Sequence, residues 1–174
     1  MKTSNAFKNN LNNGIITEEM LSFALYAANK RAKNYRDNIR HQKQVKWSSY
    51  RWTEKCERIH RYNIDRYNEM KDKYYNQKET MLSLLTPICI HEQKLENKSL
   101  YFLFYMCGRR SFHTPIYEED LKDSNLKIIE IKNFETHGAN IKDLASTKFV
   151  ENVVDLIESG DFEYIPDSDQ IAAA

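Results

Sequence analysis

The residues best suited to metal chemistry are Cys56 with His60, four apart, and Cys89 with His91, two apart. Four-residue spacing sets the first pair on one helix face, so the four together could offer zinc a ligand set. Their separations depart from finger and ribbon conventions, and buried cysteine with surface histidine is the plainer reading. A second constellation is Glu130-Ile-Lys132 with Asp123 seven residues before the glutamate, the carboxylate-x-lysine order of metal-dependent nucleases. Alternating Glu and Lys is equally the ordinary outer face of a half-buried strand. Ser111 and His113 have no partner acid or oxyanion loop near them in the sequence. The four glycines are isolated, which excludes a phosphate-binding glycine loop. No catalytic residue, metal set or cofactor is assigned on this basis.

The remaining chemistry is electrostatic. The chain has 174 residues and a formal net charge of +1. That sum conceals a split: residues 1–98 hold 19 basic and 11 acidic residues, whereas 99–174 hold 7 and 14. Residues 30–78 alone carry 15 Lys or Arg against 6 Asp or Glu, interleaved with eight Tyr and Trp. Basic side chains among aromatics suit a phosphate backbone with stacked bases, or an acidic protein groove. A solvated helical face beside buried aromatics is the plain alternative.

The elements that must carry this charge follow from the breakers. No Gly or Pro lies between Ile15 and Thr86, and one helix of that length would reach ~108 Å, so an antiparallel helical pair is expected. Thr17 with Glu18 and Glu19 reads as the start of the first helix. Leu21, Ala24, Leu25, Ala28, Ala32, Tyr35 and Ile39 form its apolar stripe, and Ser48 or Ser49 is expected to cap the second helix after a reversal near 44–49. The stripe resumes through Trp52, Cys56, Ile59, Asn63, Tyr67, Met70, Tyr74 and Met81. Glu54/Arg58, Glu57/Arg61 and Glu69/Lys73 are expected to pair along that helix.

After Pro87 the period becomes two. Leu100–Cys107 and Ser111–Ile116 around Gly108 read as a hairpin, 118–121 as a short helix and 126–131 as a third strand. Ser146 and Gly160 bracket a last amphipathic helix, and 161–165 can add a strand. The expected fold class is α+β, a long antiparallel helical pair followed by a small antiparallel sheet with one or two packed helices. It divides into a basic arm at 1–98 and an acidic compact part at 99–174 of one continuous unit. No apolar run spans a bilayer and the three cysteines fit reduced thiols, so a cytosolic protein is expected, with a second copy able to complete a narrow helical stripe.

Asn29–Arg40 (NKRAKNYRDNIR), Phe104–Ile116 (FYMCGRRSFHTPI) and Ile129–Gly138 (IEIKNFETHG) resemble small proteins of phages and mobile elements from low-GC Gram-positive bacteria. Over about half its length the chain is similar to phage-encoded type II-A anti-CRISPR proteins, inhibitors of the RNA-guided DNA nuclease. The resemblance implies a protein of the host bacterial cytosol that binds the nuclease or its guide complex and blocks DNA engagement or cleavage. It carries over no contact residue. The acidic half could occupy the channel that reads DNA, whereas the basic arm could clamp guide RNA or bound DNA. Local charge density favours the arm, with Arg36, Arg40, Lys43, Lys46, Trp47, Arg51, Trp52 and Arg58 as candidate contacts. A stand-alone phage nucleic-acid-binding protein and a nuclease using Asp123, Glu130 and Lys132 are the alternatives.

Overall fold

A computed structural model describes residues 5–48, 51–132 and 146–166, and of Trp47 the backbone only. The fold is α+β: a long helical pair, then a small sheet and a further helix. Helix α1 covers Asn5–Asn12, strand β1 Ile15–Thr17, and helices α2 and α3 Glu18–Ser48 and Glu54–Leu82. Strands β2 (Cys89–Leu95), β3 (Lys98–Cys107) and β4 (Arg110–Ile116) precede a short 3-10 turn (Glu118–Asp123) and β5 (Ile128–Glu130). Helix α4 (Thr147–Ser159) and β6 (Glu163–Ile165) close the described chain.

Thr17 caps α2 as expected, its hydroxyl accepting from the Met20 amide at 3.2 Å. The expected reversal is displaced. Helix α2 persists to Ser48, and α3 is capped by Thr53, whose hydroxyl accepts from the Cys56 amide at 3.2 Å. Ser48 instead turns back onto the Val45 carbonyl at the end of α2, and Ser49 lies outside the described residues. At the other end Ser146 and Gly160 cap α4, the glycine at φ +74°.

The two long helices pair with a seven-residue period. On α2 the inward positions are Leu21, Leu25, Ala28, Ala32, Tyr35, Ile39 and Gln42; on α3 they are Cys56, His60, Asn63, Tyr67, Met70, Tyr74, Gln77 and Met81. Alternating steps of three and four keep one seam facing the partner, as in a coiled coil. The expected α3 stripe is corrected at one point: Ile59 is 51% exposed and His60 is buried in its place. The phase is set by Tyr67, Tyr74 and Met81, seven apart, and counting back another seven reaches His60.

Only the inner halves of these helices meet the apolar core. Met20, Leu21, Ala24, Leu25, Ala28 and Ala32 of α2 are fully buried or nearly so against Phe149, Val150, Val153 and Val154 of α4, Met81 and Leu82 of α3, and Tyr105, Cys107 and Phe112 of the sheet. Phe7 of α1 joins this core, 5.9 Å from the Phe149 ring and 5.6 Å from Phe23. Alanines on α2 let α4 approach closely, so volume is supplied by the valines opposite.

The sheet is mixed, which corrects the expected antiparallel one. Its order is β4-β3-β2-β5, with β2/β3 and β3/β4 antiparallel but β2/β5 parallel. The connection from β4 to β5, passing through the 3-10 turn, brings Ile128 beside Ile90 with the two chains running the same way. β6 does form, but in a separate parallel pair with β1, Ile16 opposite Tyr164. The β3–β4 hairpin turns at Gly108, φ +58°, a backbone state that costs a residue with a Cβ.

That turn is locked onto the start of α2. The buried Glu18 carboxylate accepts from the Gly108 amide at 2.7 Å, and Arg110 donates to the Ser22 hydroxyl at 3.0 Å while its guanidinium lies over the Phe23 and Tyr26 rings. Glu18→Ala leaves a turn amide without its acceptor and is expected to destabilise the fold by about 1–3 kcal/mol in urea denaturation, whereas Glu18→Gln should avoid most of that loss because an acceptor oxygen remains.

Candidate functional site

Beyond about residue 33 on α2 and before about residue 69 on α3, the hairpin supports itself. Tyr35 bridges the two helices, its ring 6.0 Å from both Tyr67 and Tyr74, and Ile39 is the last buried apolar residue among the described side chains of α2. Farther out, polar contacts replace apolar ones. Glu57 is the hub: it takes the Lys46 ammonium at 2.8 Å and the Trp52 indole N–H at 2.7 Å. Lys46 lies 5.8 Å from the Trp52 ring centre, and that ring meets His60 edge-on at 5.4 Å. Hydrogen bonds from Lys46 and Trp52 hold the Glu57 carboxyl below its ordinary range. Such exposed contacts fix the tip's geometry more than they stabilise it.

Two of the expected pairs along α3 are replaced by contacts between elements. Glu57 has Lys46 of α2 rather than Arg61, and Lys73 has Glu151 of α4, at 2.9 Å, rather than Glu69. Inter-helix partners win because hairpin and α4 packing bring them within reach.

The candidate contacts therefore divide. Arg36, Arg40, Lys43 and Arg58 are exposed helical residues, and Arg51 is exposed in the connection between the helices. Arg40 sits 3.5 Å from Asp37, a solvent-facing pair. Lys46 and Trp52 are committed to the tip staple, and the Trp47 side chain lies outside the described residues. Four further exposed cations belong to the same arm: Lys33, Lys55, Arg61 and Arg66. They were missed because sequence counting does not separate outward residues from those along the seam; the seven-residue period does. All ten Lys and Arg of residues 33–69 are exposed, against five Asp and Glu.

The other constellations are not assembled. Cys56 and His60 lie at the outer end of the hairpin, whereas Cys89 and His91 lie in β2. Among the described residues no group of three His, Cys, Asp or Glu could hold a metal ion. Glu130 is paired with Lys94 at 2.6 Å, and Asp123 sits in the 3-10 turn before β5.

His113 engages His91 rather than Ser111. The His91 Nδ1 and His113 Nε2 are 3.0 Å apart, one donating to the other, with the Phe104 ring 4.5 Å and 5.2 Å from the two imidazoles. Burial depresses the basicity of both rings; for His113 burial, then His91, then Lys78 bring it down to about 4. The pair is neutral at pH 7, packing rather than carrying charge.

No helix among the described residues is long and apolar enough to cross a membrane. Comparison with protein-family models, curated proteins and solved structures finds no match.

The histidine pair makes stability depend on pH with a definite sign. An unfolded histidine takes up a proton near pH 6.5, but folded His113 resists until about pH 4, so the unfolded state binds more protons in that window. Stability is expected to fall as pH drops from about 6.5 to 4, by at most about 1.4 kcal/mol per pH unit for each such proton. His113→Gln should flatten the dependence of the urea midpoint in that range.

Proposed function

We propose that this protein works by binding, seating the outer half of the α2–α3 hairpin on the phosphate backbone of nucleic acid. The observation that carries the reading is the uniform exposure of all ten Lys and Arg of 33–69 on a stapled helical pair that projects past the apolar core. Pre-formed helices hold the backbone positions of the cations in place, so no backbone ordering is needed on contact. Charge of this kind steers association and releases counterions without reading sequence.

The resemblance to type II-A anti-CRISPR proteins supplies the setting. In that reading the nucleic acid is the guide RNA or target DNA held by a type II RNA-guided nuclease, and the bound arm blocks DNA engagement or cleavage. A stand-alone nucleic-acid-binding protein uses the same arm without the nuclease.

Binding to duplex DNA or RNA, followed by fluorescence anisotropy over a salt series, should weaken linearly in log–log form, the slope falling by about one for each phosphate contact removed. Arg36→Ala, Arg40→Ala, Lys43→Ala and Arg58→Ala combined are expected to lower the slope by about four and to abolish inhibition of target cleavage by a purified nuclease–guide complex. Wild-type inhibition with tighter binding to that complex than to naked nucleic acid supports the anti-CRISPR setting. Naked-nucleic-acid binding without inhibition leaves the stand-alone protein, and failure to bind any of them overturns the proposal.

A further inference from the structure

On the side of α3 that meets α4 the charge reverses. A groove of about 860 Å³ runs between the two helices, walled by Glu69, Asp72 and Gln77 of α3 and by Glu151, Asp155 and Glu158 of α4. Among the described residues Lys73 is the one cation lining it, and it already pairs with Glu151, while Asp72 lies 3.1 Å from Lys71. Glu69, Asp155 and Glu158 keep the groove acidic. In its wall Gln77 is nine-tenths buried, and its amide oxygen has no hydrogen-bond partner among the described residues. A buried acceptor without a donor is costly, so this one is poised for a donor that enters the groove.

The donor is not a metal ion, because no three described acidic or histidine side chains converge on one point. The carboxylates form a row instead. Glu151, Asp155 and Glu158 stand at i, i+4 and i+7 and span about 10 Å of α4. A row of acceptors of this length suits a row of guanidinium and ammonium groups on another helix. The chain carries such a row itself: Arg36, Arg40 and Lys43 of α2 also stand at i, i+4 and i+7, all exposed. Contact of the Tyr35 ring with Tyr67 and Tyr74 fixes α2 along α3, so this row runs outward toward the tip of its own hairpin rather than into its own groove.

We infer that the acidic groove between α3 and α4 receives the basic α2 row of a second copy of this chain. The two surfaces differ, so the contact is head-to-tail and each added copy still offers one arm and one groove. Nucleic acid competes for the same arm and disassembles the chain of copies.

Sedimentation velocity of the full-length protein tests this. At low ionic strength the sedimentation coefficient should rise with protein concentration, and the rise should vanish in ~0.5 M salt. Neutralising the arm (Arg36→Gln, Arg40→Gln, Lys43→Gln) or the groove (Asp155→Asn, Glu158→Gln) alters exposed residues only, so circular dichroism should stay native. Each variant alone should associate at least about tenfold more weakly, and Gln77→Met should weaken association several-fold.

An equimolar mixture of arm and groove variants retains one intact arm and one intact groove. It should pair one-to-one and grow no further. A wild type that is monomeric at every concentration overturns the inference, as do variants that associate unchanged or a mixture that does not pair. Binding of spermine by a monomeric wild type likewise overturns it and assigns the groove to a small polycation. The groove variant should bind nucleic acid as the wild type does. Loss of its self-association therefore tests the groove alone, whereas loss of nucleic-acid binding by the wild type bears on the arm's proposed function.

Discussion

The ammonium of Lys78 sits where α2, α3 and the sheet meet. Lys78 is 6% exposed, and its ammonium donates to the Asn29 side-chain oxygen at 3.3 Å and also to the His113 backbone carbonyl. Burial lowers its basicity to about 8, so at neutral pH it is still charged and must keep both acceptors. This requirement constrains the rotation of α3. With Lys78 and Gln77 turned inward, Tyr74, Tyr67 and His60 follow along the seam and Ile59 is sent to solvent. The exposed set on the outer half, Lys55, Arg58, Arg61 and Arg66, is then determined as well.

The two halves of the hairpin are held by different forces. The inner half rests on apolar burial against α4 and the sheet, which salt does not screen. The outer half rests on the tilted Tyr35–Tyr67 contact and on the Lys46–Glu57–Trp52 staple, whose polar contacts are open to solvent. Local opening is therefore cheapest at the tip and rises toward the core. A binding surface at the weak end can adjust to a ligand without disturbing the base that carries it.

What could be read from the sequence was what is local. Thr17, Ser146 and Gly160 mark helix ends through bonds to residues three or four away, and Gly108 marks a turn between two alternating segments. The alanine-rich stripe of α2 was legible for the same reason. Most of the α3 seam was legible as well, through Asn63, Tyr67, Met70, Tyr74 and Met81; the burial of His60, Gln77 and Lys78 was not, because polar residues turn inward only where partners elsewhere in the chain meet them. The parallel β2/β5 pairing and the β1/β6 pair rest on contacts between distant segments that no short window contains. For the arm, the charge was visible in composition, but its division into staple and exposed cations required knowing that Glu57 faces Lys46 across the hairpin.

The pairing of β1 with β6 joins residues 15–17 to residues 163–165, and the Gly14 carbonyl accepts from the Glu163 amide at 2.8 Å. Such a contact cannot form until nearly all the intervening chain has been synthesised. On the ribosome α2 and α3 can zip together while translation continues, since their seam is complete by residue 82. The Ile16 side chain and the inner face of α2 must wait for α4 and β6 to arrive. The basic arm is thus the first part to take shape, and the base that anchors it is the last.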